Sequence, residues 1–174
     1  MKKLMLFCML IFLISLTACG NTGENITASE IMFMYKTNSN EGENSRYSIK
    51  FYDKEGNSWY SDDEYVTSLP FDRLVSEYAD GKLNDKLTAC PMADKELLSS
   101  CFEMLCRDKD IEIESPGVLP AVESEIRIWY GLYYAEDGTL DWTILHKYER
   151  GTHLYAVEDS ANEIYQYFTT SFTE

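Results

Sequence analysis

The chain has 174 residues, enough for one domain with a substantial core and cramped for two. Its 30 acidic residues against 15 basic ones give a formal net charge of −15, which repels phosphate backbones and anionic lipid headgroups alike and so excludes nucleic acid as a partner. Hydrophobic residues make up 45% of the chain and aromatic residues 14%, which excludes global disorder even at this charge density.

The N-terminus reads "MKKLMLFCMLIFLISLTAC". Two lysines precede an uninterrupted apolar stretch from Leu4 to Ile14, the n-region and h-region of a secretory signal. A bilayer-spanning helix needs about 20 apolar residues. This run is shorter, and the chain turns polar at once in "GNTGEN". Leu16, Thr17, Ala18 and Cys19 resemble the lipobox of bacterial lipoproteins: a branched aliphatic residue, two small residues and an obligatory cysteine. The resemblance covers only residues 1–19 and does not extend to the folded part.

The resemblance implies that the Cys19 thiol carries a diacylglyceryl group and that a signal peptidase cuts between Ala18 and Cys19. It implies a lipid-anchored protein facing the exterior or periplasm, with the membrane as its partner through Cys19. Gly20 follows the cysteine, so an aspartate-based inner-membrane retention signal is absent. Cleavage removes Lys2 and Lys3 and leaves 13 basic against 30 acidic residues, a net charge of −17. The expected organisation is a removed signal peptide over 1–18, a lipid-anchored tether over 19–29 and a single domain over 30–174.

From Glu30 onward the period is two. "IMFMYKT" places Ile31, Phe33 and Tyr35 on one face of a strand, and "RYSIKFYD" does the same for Tyr47, Ile49 and Phe51, with "NSNEGEN" as the loop between them. "DKEGNSW" carries a turn signal and also alternates Asp53, Glu55 and Asn57 in a way that suggests calcium. Although Glu64 closes the stretch, Gly56 comes fourth rather than after three oxygen ligands, which argues against an EF-hand loop.

Two helices follow. Phe71, Leu74, Val75 and Tyr78 form the apolar face of the first, opened by Ser68 and Pro70 and closed by Gly81. Leu97, Leu98, Cys101, Phe102 and Leu105 form that of the second, after Pro91 and Asp94. Cys90, Cys101 and Cys106 are odd in number once Cys8 is cleaved off and Cys19 acylated, so at most one pair can close. A bond from Cys90 to either of the others is open, as is the reading that all three are small buried residues.

"IEIESPGVLP" reads as a short strand running into a loop. Asp137-Gly138 and Arg150-Gly151 read as two-residue turns joining strands near 125–135, 139–148 and 152–158. A last helix begins at Ser160, with Glu163 completing a capping box, and buries Ala161, Ile164, Tyr165, Phe168 and Phe172. The fold class is α+β: an antiparallel sheet of about five to seven strands with three helices packed mainly on one face.

The two turns set the faces of the final strands. Trp129, Gly131, Tyr133, Trp142, Ile144, His146, Tyr148, His153 and Tyr155 share one face; Tyr130, Leu132, Tyr134, Thr143, Leu145 and Lys147 share the other. Either the aromatic face is open and binds a ligand, or helices cover it and Gly131 admits one closely. Asp141 and Lys147 on the second face need water, which favours the covered reading and leaves Tyr130 and Tyr134 half-exposed. Tyr130, Tyr134, Trp129 and Trp142 are thus the candidate ligand surface.

His146 and His153 lie diagonally across a hairpin with Tyr148 between them. No catalytic motif, metal-ligating cluster or cofactor loop is visible, so no enzyme activity, metal or cofactor is expected. The function this supports is a membrane-anchored binding or interaction module for an unknown protein, peptide or glycan. The alternative is an envelope inhibitor or immunity-type protein whose acidity suits a basic enzyme or toxin.

Cys19→Ser should move the protein from the membrane fraction to the soluble fraction and remove a diacylglyceryl increment from its intact mass. Unchanged membrane attachment would refute the lipobox reading.

Overall fold

The computed structural model describes residues 26–41, 44–107, 113, 125–149, 151–156 and 158–171. Ala18, Cys19 and Phe172 lie outside them, as does all of "IEIESPGVLP" except Ile113, which bridges Ala156. Seven strands form one antiparallel sheet: β1 (Thr27–Glu41), β2 (Asn44–Asp53), β3 (Ser58–Ser61), β4 (Thr88–Cys90), β5 (Ile126–Tyr134), β6 (Leu140–Glu149) and β7 (Thr152–Tyr155). Their order is β4-β3-β2-β1-β5-β6-β7, so β1 and β5 are central. The helices are α1 (Glu64–Ser68), α2 (Phe71–Ala79), α3 (Lys95–Arg107) and α4 (Asp159–Ser171). Among the described residues no helix is long and apolar enough to cross a membrane.

The class is α+β, as the periodicities predict, but the helices number four rather than three and cover both faces of the sheet. The reason lies in β1. A bulge between Ile31 and Phe33 turns Ile31 and Met34 toward α1 and α2, while Met32 and Phe33 face α3 and α4. All four are at most 4% exposed, and burying side chains of this size contributes roughly 1.5–3 kcal/mol each. The uninterrupted period-two reading that put Ile31 with Phe33 and Tyr35 therefore fails at Met32.

Other boundaries shift for local reasons. Thr27–Ser29, small residues assigned to the tether, already belong to β1: Thr27 and Ala28 pair with Tyr134 and Tyr133, and Ser29 is buried. Most of "NSNEGEN" is ladder rather than loop, because pairing continues to Glu41 and Asn44. Two elements escaped notice: α1 is a single turn capped by Asp63, whose carboxylate accepts the Val66 N–H at 3.2 Å, and β4 has three residues. In α2, Pro70 is the N-cap and Gly81 (φ 71°) follows the C-cap, as read. In α3, Asp94 accepts the N–H groups of Glu96 and Leu97 at 2.9 and 3.2 Å; Leu98, Cys101 and Leu105 are buried, whereas Leu97 is exposed. Among the described residues, Cys90, Cys101 and Cys106 form no disulfide.

The β5–β6 turn has three residues, not two. Ala135 N–H donates to the Thr139 carbonyl at 2.8 Å and Gly138, at φ 80°, closes the turn. This sets Leu132 opposite Trp142 and Tyr134 opposite Leu140; a bulge at Leu145 then restores the anticipated pairing of Trp129 with His146. Between turn and bulge the faces are exchanged. Trp142 and Ile144 consequently leave the Trp129 face, and Trp142 packs edge-on against Phe71 of α2 with centroids 5.0 Å apart. The β6–β7 register is as expected.

Asp53 organises the β2–β3 turn and uses its oxygens there rather than on a cation. It accepts the Glu55 and Asn57 N–H groups at 2.9 and 2.8 Å, Asn57 Nδ2 at 2.7 Å and the Tyr78 hydroxyl at 2.5 Å. The Tyr78 oxygen in turn accepts Trp59 Nε1 at 2.9 Å, so one buried carboxylate ties the turn, β3 and α2 together. Burial and the bond to Asp53 hold the Tyr78 hydroxyl well above its usual pKa.

Gly131 admits α3: a Cβ built there would lie 2.6 Å from Leu105 Cδ2. Leu105 is fully buried, so its methyl has nowhere to turn. Gly131→Ala should cost about 1–3 kcal/mol by overpacking. In urea unfolding the Gly131→Ala/Leu105→Ala double variant should lose less stability than the two single losses together; strict additivity would rule out this contact as the cause.

Candidate functional site

Antiparallel register lines residues up in rows across the sheet. One row runs Tyr60, Lys50, Tyr35, Trp129, His146, Tyr155 from β3 to β7. The row beside it carries Thr37, Arg127, Tyr148 and His153. Helix α4 lies over both and contributes Tyr165, Phe168 and Thr169. Between helix and sheet is a cavity of about 260 Å³, with Tyr52 also in its wall.

The floor is a stack of rings. Trp129 lies flat against Phe168 (5.0 Å, 18°) on one side and Tyr35 (4.7 Å, 27°) on the other, and is only 7% exposed. His146 lies parallel to Tyr165 at 3.8 Å and 7°. Trp129, His146 and Phe168 are the buried members of these stacks. The Arg127 guanidinium sits 5.1 Å over the Tyr148 ring and is gripped by Glu125, with Nε to Oε1 at 2.8 Å and Nη2 to Oε2 at 2.7 Å. Lys50 Nζ sits 5.6 Å over Tyr52.

The two histidines meet inside this cavity, as their diagonal placement anticipated: His153 Nδ1 and His146 Nε2 are 3.2 Å apart. One ring donates and the other accepts, so at least one must be neutral. His146 is 2% exposed, and burial together with the charge of His153 pushes it down to about 4, whereas His153 is exposed. Among the described residues no group of three His, Cys, Asp or Glu side chains converges, so the pair lacks the protein ligands of a closed metal centre. Cys101, in the core beside the cavity, is held as a thiol, its pKa pushed up to about 11 by burial.

Of the four residues proposed as a ligand surface, only Trp129 lines this cavity, as its floor. Tyr130, Tyr134 and Trp142 are on the opposite face. Tyr130 packs edge-on against Phe71 (5.0 Å, 74°), Tyr134 donates its hydroxyl to Glu30 at 2.9 Å, and Trp142 is 48% exposed. Tyr35, Lys50 and Tyr165 were missed. Their signal was present as alternation in β1 and β2 and as a helical stripe in α4, but nothing local brings those three elements together.

A second groove, about 800 Å³, runs where β2 extends beyond β3 toward α1; Ser45, Ser48, Thr67 and Ser68 line it with Arg46, Asp62 and Glu64. Its charges are of both signs and it holds no ring stack.

No protein-family model, no characterised protein and no solved structure matches the chain. The site therefore has to be read from its own chemistry.

His146 makes that chemistry measurable. Its pKa falls from 6.5 to about 4 on folding, so between those values the unfolded chain binds more protons and stability falls as pH drops. The loss is at most roughly 3 kcal/mol. Urea unfolding at pH 7 and pH 4.5 should show a smaller drop for His146→Gln than for the wild type. An equal drop in both would assign the acid sensitivity to other groups.

Proposed function

We propose that the chain is a lipid-anchored binding module of the cell envelope, holding a small ligand between α4 and the sheet. The observation that carries the binding half is the cavity of stacked rings around the His146–His153 contact. Trp129, His146 and Phe168 are already buried in their stacks before anything binds, which lowers the entropic cost of association. The chemistry it offers is recognition rather than turnover.

The anchoring half rests on the sequence, where Leu16–Cys19 closes a short apolar leader. Diacylglycerylation at Cys19 would hold a domain whose own charge, −17 with 13 basic against 30 acidic residues, gives it no affinity for anionic headgroups. Residues between Cys19 and Thr27 would then be the span that separates it from the bilayer. Acidity also suits an inhibitor of a basic protein, but such a protein presents its recognition groups on a convex surface. Here the stacked aromatic groups converge inward.

The chain has two histidines, both in this cavity, so their imidazole NMR signals report on it alone. A small-molecule screen against the mature protein should yield ligands that move both signals, and Tyr165→Ala should weaken them tenfold or more. Capture of a basic protein that leaves both signals unmoved and dissociates in high salt would favour the inhibitor reading instead.

A further inference from the structure

We infer that the ligand of this cavity is a small planar carboxylic acid, an aromatic acid of about one or two rings; this rests on the cavity being the ligand site. The first ground is the hydrogen-bonding character of the lining. Lys50 and Arg127 can only donate, the Tyr and Thr hydroxyls and the imidazoles can both donate and accept, and among the described residues no Asp, Glu, Asn or Gln lines the cavity. A neutral sugar presents several hydroxyl donors and would need such acceptors. A carboxylate presents acceptors only.

The second ground is charge. In a chain with 30 acidic and 15 basic residues, a cavity whose described lining carries Lys50 and Arg127 and no carboxylate departs from the sign of the chain as a whole. Glu125 partly offsets Arg127, yet it engages only two of the five guanidinium N–H groups and fixes the plane of the rest. The grip of Glu125 therefore orients the fork as much as it neutralises it.

The third ground is the aromatic lining and its size. Tyr35, Trp129, His146, Tyr148, Tyr165 and Phe168 all line the cavity. At about 260 Å³ the cavity is below the range of drug-sized sites, roughly 300–1,000 Å³, and suits one ring system with one polar head.

Isothermal titration of the mature, lipidated protein in detergent would use 4-hydroxybenzoate and indole-3-carboxylate as probes. Methyl 4-hydroxybenzoate and cellobiose are the neutral comparisons. The acids should bind and move both histidine signals, with the ester at least tenfold weaker and cellobiose silent. Lys50→Gln and Arg127→Gln should each weaken the acids tenfold or more and flatten their salt dependence, with near-UV circular dichroism unchanged. An ester that binds as tightly as the acid, or cellobiose binding in preference, would overturn the carboxylate assignment while leaving the cavity as a binding site. Probes that all leave the histidine signals unmoved, or acids that bind without moving them, would overturn both.

Discussion

The sheet has to bury both of its faces, and the rest of the structure follows from that. Strands β1 and β5 carry large apolar side chains up and down: Ile31 and Met34 against Met32 and Phe33, Leu132 against Trp129 and Tyr133. A half-solvated sheet could not accommodate them. Two short helices on each side supply the cover, and because α1 has one turn and α2 nine residues, turns and side chains complete it on that side. The Asp53 carboxylate is the clearest instance: it holds the β2–β3 turn while receiving the hydroxyl of Tyr78 from α2.

The binding site depends on two departures from regular pairing. The bulge at Met32 puts Phe33 and Tyr35 on the α4 side, and the bulge at Leu145 brings His146 into line with Trp129 after a turn that had displaced the register by one. Without the second, His146 would face α2 rather than Tyr165. The site is thus a product of sheet irregularity, and the close seat of α3 on Gly131 lets Leu105 and Cys101 fill the core beside it without lifting the helices.

Much of this was legible in the chain. Apolar periodicity located α2, α3, α4, β1 and β2, because amphipathic spacing reflects which side is dry, and turn signals marked out β5, β6 and β7 and the hairpin into β3 at "DKEGNSW". Asp-Gly marked the β5–β6 turn, but not its length: two- and three-residue turns use the same residues and differ by one in register. That single unit moved Trp142 to the other face. Helix cover on both sides was also hidden, since apolar residues on both faces of a strand say only that both want burial. The histidine contact was foreseeable because it depends on one hairpin; Tyr35, Lys50 and Tyr165 come from β1, β2 and α4, distant in sequence.

The strand order carries a consequence for the chain as it is made. Two meanders, β1 to β4 and β5 to β7, each assemble from neighbours in sequence, but they join only where β1 meets β5, across roughly one hundred residues. Strand β1 is complete near the start of synthesis and its β5 partner emerges far later. Until then the nascent chain exposes an apolar strand edge through Phe33, Met34 and Tyr35, the kind of edge on which unfinished chains aggregate. The first strand of the domain must therefore stay shielded until the fifth has arrived.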